Sequence, residues 1–123
     1  MKILILEDEK FILHSIAKNL IAEGYQVITS ENYKNAIEII KTKELDLVIT
    51  DLMLPFTGGL DVVEFIKEDP SKAHIPVIVV SGLDQEILSV TRKLADAYLS
   101  KPFSIDELKE LVRKFLPQSQ SLS

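Results

Sequence analysis

The sequence predicts an α/β domain in which helices cover both faces of a parallel sheet. Short apolar runs, of which Ile3–Leu6 is apolar at every residue, alternate with longer stretches whose apolar residues recur at helical spacing. The short runs lack the polar alternation of a half-exposed strand, so both of their faces are expected to be buried, as in parallel sheets. Five such strand–helix units predict a doubly wound (βα)5 sandwich of three layers.

Five strands are predicted from the apolar runs. They are Ile3–Leu6, Gln26–Thr29, Leu47–Thr50, Pro76–Val80 and Ala97–Leu99. The fourth run is almost entirely valine and isoleucine, whose branched side chains favour strands. A parallel sheet built from these runs has its carboxyl ends along one edge.

Helices are predicted between and after these strands. Their ranges are Phe11–Glu23, Tyr33–Lys43, Leu60–Glu68, Asp84–Leu94 and a last helix that starts after Ser104 and runs to about Leu116. Gly24 predicts the end of the first helix. Ser104 and Glu107 form the pattern of a capping box, in which each side chain satisfies a free backbone amide.

Length and composition limit the classes of function. The 123 residues fit one domain, predicted over residues 1–117, followed by a polar tail at 118–123. Fourteen Lys and Arg against nineteen Asp and Glu argue against direct nucleic-acid binding, and the absence of cysteine excludes thiol chemistry. The apolar runs are far shorter than the roughly 20 residues that span a bilayer, and Glu7 interrupts the first run too early for a signal peptide. A cytoplasmic protein without membrane contact is therefore expected.

Polar side chains follow four of the predicted strands. Glu7 and Asp8 follow the first, Asp51 the third, Ser81 the fourth and Lys101 the fifth. Clustered carboxylates repel one another, and a hard divalent cation such as Mg²⁺ compensates them well. A metal, an ammonium, a hydroxyl and a nucleophilic carboxylate together suit phosphoryl transfer. Each residue alone is more often a cap, a turn or a surface residue, so both interpretations stay open on spacing alone.

Beyond this pattern, the chain resembles the response-regulator receiver domains of two-component signalling over about residues 2 to 116. The resemblance rests on four motifs, which are Ile3–Glu9, Leu47–Pro55, Pro76–Ser81 and Ala97–Phe103. It implies a flavodoxin-like fold with strand order 2-1-3-4-5. It also implies a regulatory phospho-acceptor that promotes only its own phosphorylation and dephosphorylation, and is otherwise not an enzyme.

The resemblance assigns a role to each residue at the strand ends. Asp51 matches the phospho-acceptor, and Glu7 and Asp8 match the acidic pair that holds Mg²⁺. Met53 matches a residue whose backbone carbonyl binds the metal and whose amide contacts the phosphoryl group. The phospho-donor is expected to be a sensor histidine kinase or a phosphotransfer protein.

The remaining residues that match the family pattern bind the phosphoryl group or change conformation when it is attached. Ser81, Lys101 and the backbone amide of Gly82 match phosphoryl-binding groups. Tyr98 matches an aromatic residue that turns inward when Ser81 moves, and Lys101–Pro102 matches a position at which the family carries a cis peptide bond. The implied output face joins the predicted helix at 84–94, the fifth strand and the last helix, and would control an unknown output protein or fused effector domain. A monomer or weak dimer is expected.

The sequence also departs from the family pattern. Phe56 and Leu94 stand where glycine is common, and the stretch from Ser81 to Lys101 is about two residues short. Met53 and Leu83 are apolar at positions that tune hydrolysis, which suggests a long-lived phosphoryl group. The four phenylalanines outside these positions are interpreted as core or interface residues; they are Phe11, Phe65, Phe103 and Phe115.

Three other interpretations compete with this one. A hydrolase with an aspartyl nucleophile commonly needs a second Asp two residues later, where this chain has Met53. A flavin-binding module needs a loop that cradles phosphate after the first strand, where Glu7 and Asp8 would repel it. An interaction module that is never phosphorylated remains open, although the site residues are all present.

Overall fold

The computed structural model describes residues 1–51, 59–82 and 95–116. A parallel sheet of five strands lies at its centre. The strands are β1 (Lys2–Leu6), β2 (Gln26–Ser30), β3 (Leu47–Asp51), β4 (Val77–Ser81) and β5 (Ala97–Ser100). Their order across the sheet is β2-β1-β3-β4-β5, which confirms the predicted order and fold class.

Helices lie on both faces of this sheet. Those in the described residues are α1 (Lys10–Ala22), α2 (Tyr33–Thr42), α3 (Gly59–Glu68) and α4 (Ile105–Phe115). The predicted helix at 84–94 and the predicted tail at 118–123 lie outside the described residues. None of the described helices is long and apolar enough to cross a membrane.

Two apolar cores lie between the sheet and its helices, one on each face. One joins alternate residues of the central strands, such as Leu4 and Val48, to α2 and α3. The other joins the intervening residues, such as Ile3 and Ile49, to α1 and α4. Because successive side chains of a strand point to opposite faces, a strand in this position buries side chains on both faces and is largely apolar. This is why β1 and β3 lack polar alternation.

Two of the helix ends follow local signals in the sequence. Gly24 follows α1 with a φ of +101°, a left-handed conformation that glycine adopts without strain. The Ser104 hydroxyl accepts a hydrogen bond from the Glu107 amide, and the Glu107 carboxylate accepts one from the Ser104 amide. The predicted helix end and capping box are thus confirmed.

Two strand boundaries differ from the sequence-based prediction in a way that concerns the site. Asp51 and Ser81 were expected to follow β3 and β4, but they are the last residues of these strands. Asp51 is in register with Val80, and Ser81 with Ser100. The prediction ended each strand before its polar residue. Strand pairing, however, is made by backbone hydrogen bonds, which do not depend on the side chain.

Candidate functional site

Three carboxylates meet at the carboxyl edge of the sheet. Glu7 and Asp8 directly follow β1, and Asp51 ends β3, the strand beside it. One carboxylate oxygen from each lies within 4.8 Å of the others. Glu7 and Asp51 are each only 1% exposed, whereas Asp8 is open to solvent. The edge therefore holds two buried acids and one exposed acid in a single cluster.

Lys101 reaches this cluster from the far side of the site. It follows β5, which is separated from β3 by β4. Its Nζ donates to Asp51 Oδ2 at 2.9 Å and to Glu7 Oε1 at 3.1 Å. The Lys101 side chain is 20% exposed, so these contacts are partly shielded from water. One ammonium group thus bridges the two buried acids.

The environment of Glu7 disfavours its ionised form. The pKa of Glu7 is raised to about 7, mainly by burial and to a smaller extent by the neighbouring Asp51. The amide of Glu9, which donates to Glu7 Oε2 at 3.0 Å, and the Lys101 ammonium act in the opposite direction but do not cancel the effect. Negative charge at this site is therefore only partly compensated by the protein itself.

Lys101 responds to the same cluster with the opposite sign. Burial by itself would lower the pKa of Lys101. Hydrogen bonding and charge attraction from Asp51, followed by those from Glu7, outweigh this effect and raise the pKa. Lys101 consequently stays protonated and remains a fixed positive charge beside Asp51.

The donor atoms at this edge fit a hard divalent cation. A cleft of about 300 Å³ is lined by Asp8, Glu9, Asp51, Gly82 and Lys101. Carboxylate oxygens are the ligands that Mg²⁺ prefers, and the incomplete compensation of charge at Glu7 leaves a reason for a cation to bind. The acidic cluster and the cleft together suit a metal ion and a small anionic group.

The remaining predicted site residues are described to different extents. Gly82 lines the cleft, and Tyr98 on β5 is partly buried against the core shared by α2 and α3. The Lys101–Pro102 peptide bond is cis. Ser81 ends β4, but its hydroxyl lies outside what the structure describes. Met53, Phe56, Leu83 and Leu94 also lie outside the described residues.

An apolar groove beside the cleft was not predicted as a site. It measures about 480 Å³ and is lined by residues of α1, of the segment after β5 and of the start of α4, including Phe11, Phe103 and Ile105. Lys101 lines both the groove and the cleft. Phe11 is 93% exposed, so it is not a core residue, whereas Phe103 packs against the core shared by α1 and α4. The sequence offered no means of telling these two phenylalanines apart.

The contact between the Glu9 amide and Glu7 was also missed. It orients one of the two buried acids through a backbone group only two residues away. No residue type signals such a bond, because any residue except proline could supply the amide.

Comparison with known proteins agrees with this geometry. Residues 3–113 match the model of the response regulator receiver domain family. The chain is 32% identical over 121 residues to the alkaline phosphatase synthesis transcriptional regulatory protein PhoP of Bacillus subtilis, and this match covers 97% of the chain and 50% of that protein. It is 30% identical to the polar-differentiation response regulator DivK of Brucella anthropi, covering 93% of the chain and 94% of that protein. The chain thus spans about half the length of some relatives and nearly the whole of others.

Solved structures show the same likeness. The response regulator TrrA of Thermotoga maritima, in complex with Mg²⁺ and BeF, has a TM-score of 0.84 and 33% identity over 94% of this chain and 98% of that one. A CheY-like receiver domain of Methanospirillum hungatei has a TM-score of 0.87 and 26% identity over 99% of this chain and 98% of that one. With the family model matched over most of its length, the chain belongs to the response regulator receiver domains of two-component systems.

Proposed function

We propose that this domain accepts a phosphoryl group on Asp51, with Mg²⁺ held by Glu7, Asp8, Asp51 and the backbone carbonyl of Met53. One observation carries the proposal. Three carboxylates lie with ligand atoms within 4.8 Å of one another, and the two buried ones are hydrogen-bonded to the same lysine. The solved relative that contains Mg²⁺ and BeF supports the choice of metal.

The proposed reaction uses few groups. A carboxylate oxygen of Asp51 attacks the phosphorus atom in line; a new O–P bond forms while the bond to the donor breaks, and the leaving group keeps the electron pair. Lys101, already 2.9 Å from Asp51, stabilises the negative charge on the transferring oxygens. When bound, Mg²⁺ supplies further neutralisation of that charge.

The phosphorylated state is proposed to be recognised by groups around the cleft. Ser81, Lys101 and the backbone amides of Gly82 and Met53 would contact the phosphoryl oxygens, since an acyl phosphate adds negative charge and hydrogen-bond acceptors. Movement of Ser81 toward the phosphate would let Tyr98 turn inward, and so change the face formed by the segment at 84–94, β5 and α4. Such a switch is a shift between two populations that phosphate contacts bias.

The proposed partners follow from this chemistry. The donor is a phosphohistidine on a sensor histidine kinase or a phosphotransfer protein in the cytoplasm. Such a donor must cover the edge of the sheet beside Lys101, where the exposed Phe11 offers apolar contact. The output is exerted on a partner protein or fused effector by a monomer or weak dimer. Purified histidine kinases and phosphotransfer proteins of the source organism, charged with phosphate, provide the test; transfer from none of them would contradict this choice of donor.

The central test is phosphorylation by acetyl phosphate with Mg²⁺, measured by intact mass. The wild-type chain is expected to gain one phosphoryl group, with acetate as the leaving group. Asp51→Asn is expected to gain none, because the amide is not a nucleophile of this kind. Addition of a chelator should abolish the adduct on the wild type.

The matched control is Asp46→Asn, which changes an acid that lies before β3, at the opposite end of the strand from Asp51. It should be phosphorylated like the wild type. An adduct that persists in Asp51→Asn, or one that forms equally well without divalent metal, would refute the proposal.

A further inference from the structure

One buried hydroxyl in the middle of the sheet has no hydrogen-bond partner among the described residues. Thr50 is fully buried on β3, and its Oγ1 makes no hydrogen bond to any group in the structure as described. An unpaired buried hydroxyl raises the free energy of the state that contains it, whereas a valine of the same shape would not. The presence of threonine here therefore calls for a function beyond packing.

The neighbours of Thr50 in the sheet include the proposed switch residue. Thr50 is in register with Leu6 on β1 and with Val79 on β4, and Val79 is in register with Tyr98 on β5. Leu6 and Val79 belong to the core shared by α2 and α3, and Tyr98 packs against the same core. The side chains of this row thus project from one face of the sheet.

The separation along this row suits a tyrosine. Thr50 and Tyr98 are two strands apart, which corresponds to about 10 Å between their Cα atoms. A tyrosine ring that lies across the intervening Val79 can bring its hydroxyl to the hydroxyl of Thr50. Tyr98 is partly exposed, so an inward turn of its ring would bury more of its surface.

We propose that the Thr50 hydroxyl is the hydrogen-bond partner that Tyr98 acquires when Asp51 is phosphorylated and Tyr98 turns inward. The inference rests on the proposed function, since phosphorylation drives the turn. The new bond exists in one state only. Thr50 therefore disfavours the unphosphorylated state and favours the phosphorylated one, and biases the equilibrium between them. Thr50 does not touch the phosphoryl group and acts as a positioning residue for Tyr98.

The test uses BeF with Mg²⁺ as a substitute for the phosphoryl group. Thr50→Val is expected to raise the melting temperature of the BeF-free chain and to weaken BeF binding by roughly fivefold, because it removes the bond on which the bound state depends. Tyr98→Phe should weaken binding by a similar factor. The double variant should bind no more weakly than the single variants, because both changes remove the same bond.

Thr50→Ser is the control, because it keeps the hydroxyl and loses only a methyl group. It should bind BeF nearly as tightly as the wild type, even if the chain is less stable. NMR of chains with isotope-labelled tyrosine should show Tyr98 moving to a buried environment on BeF binding. In the BeF-bound state, the Tyr98 hydroxyl proton should exchange slowly with water in the wild type and in Thr50→Ser, but not in Thr50→Val.

Three results would overturn the inference. The first is an unchanged affinity of Thr50→Val for BeF. The second is an equal loss of stability in Thr50→Val with and without BeF, as expected if a buried water is the constant partner of the hydroxyl. Additive losses in the double variant would show that the two hydroxyls act separately. Failure of the wild type to bind BeF, or to be phosphorylated, would instead refute the proposed function, and the inference with it.

Discussion

At the scale of single residues, Glu7 illustrates how the fold sets the chemistry of the site. Its carboxylate is buried beside Asp51, and burial is the largest reason that its pKa is raised to about 7. In the unfolded chain the same group ionises near its ordinary value of 4.5. The folded chain therefore binds a proton at Glu7 over a pH range in which the unfolded chain has lost it.

The first prediction concerns this proton. Glu7 contributes stability that is fully present below pH 4.5 and is lost as the pH rises through about 7. Glu7→Gln should remove this loss, so that the metal-free variant becomes more stable than the wild type at pH 8, by up to about 3 kcal/mol, but not at pH 4.5. Urea denaturation in the presence of a chelator measures the difference at both values of pH.

Glu9→Gln is the matched control, because Glu9 is exposed and contributes only its backbone amide to Glu7. Its stability should follow that of the wild type at both values of pH. A Glu7→Gln variant with the same pH dependence as the wild type would show that Glu7 is not the group responsible.

At the scale of elements, the helices start in different ways. Asn32 caps α2 by accepting from the Asn35 amide at 2.8 Å, and α4 has the Ser104–Glu107 capping box. The residue before α1, Glu9, makes no side-chain capping bond. Packing of buried residues such as Leu13 and Ile16 must therefore hold α1 in place, since packing supplies most helical stability in proteins. This leaves the first turn of α1, beside the site, without a cap.

The second prediction concerns the cap of α4. Ser104→Ala removes the acceptor of the Glu107 amide, 3.1 Å away, and should lower the free energy of unfolding by about 1 kcal/mol. Chemical denaturation provides the measurement. Ser15→Ala, at an exposed position within α1, should change stability by no more than about 0.5 kcal/mol. Equal effects of the two substitutions would mean that the capping box contributes nothing.

At the scale of the whole molecule, side chains distant in sequence hold the helices and strands together. The Tyr25 hydroxyl donates to the Leu116 carbonyl at 3.1 Å in a buried position, joining residues 91 positions apart. Nearby, Arg113 pairs with Glu23 at 2.7 Å, but Arg113 is 46% exposed, so this ion pair adds little. The buried hydrogen bond is therefore the stronger link between the end of α4 and the turn after α1.

The third prediction concerns this link. Tyr25→Phe removes the hydroxyl that donates to the buried Leu116 carbonyl. The free energy of unfolding should therefore fall by about 1–2 kcal/mol. Hydrogen exchange of the amides in the last turn of α4 should accelerate. Tyr33→Phe, at a partly buried tyrosine on α2, should leave that exchange unchanged. Unaltered exchange in Tyr25→Phe would show that packing alone holds the end of α4.

A second link of this kind had no sequence signal. Lys67 on α3 donates to the carbonyls of Ala73 and Ile75 and to Asp96, and Asp96 also accepts from the Val77 amide at 2.8 Å. The network joins α3 to the beginnings of β4 and β5. From sequence, Lys67 has the appearance of an ordinary surface lysine, because its partners are mostly backbone groups and one acid 29 positions away.

The fold class and the residues available for chemistry could be predicted from the sequence alone. Continuous apolar runs can only be buried on both faces, and parallel strands collect the residues at their carboxyl ends, so Glu7, Asp8, Asp51 and Lys101 were identified before any coordinates. How these groups interact depends on the three-dimensional arrangement: which acids are buried, which two share Lys101, and that the Thr50 hydroxyl has no hydrogen-bond partner among the described residues. The physical reason is that burial and hydrogen bonding depend on neighbours brought together across strands and helices, and no local pattern encodes those neighbours.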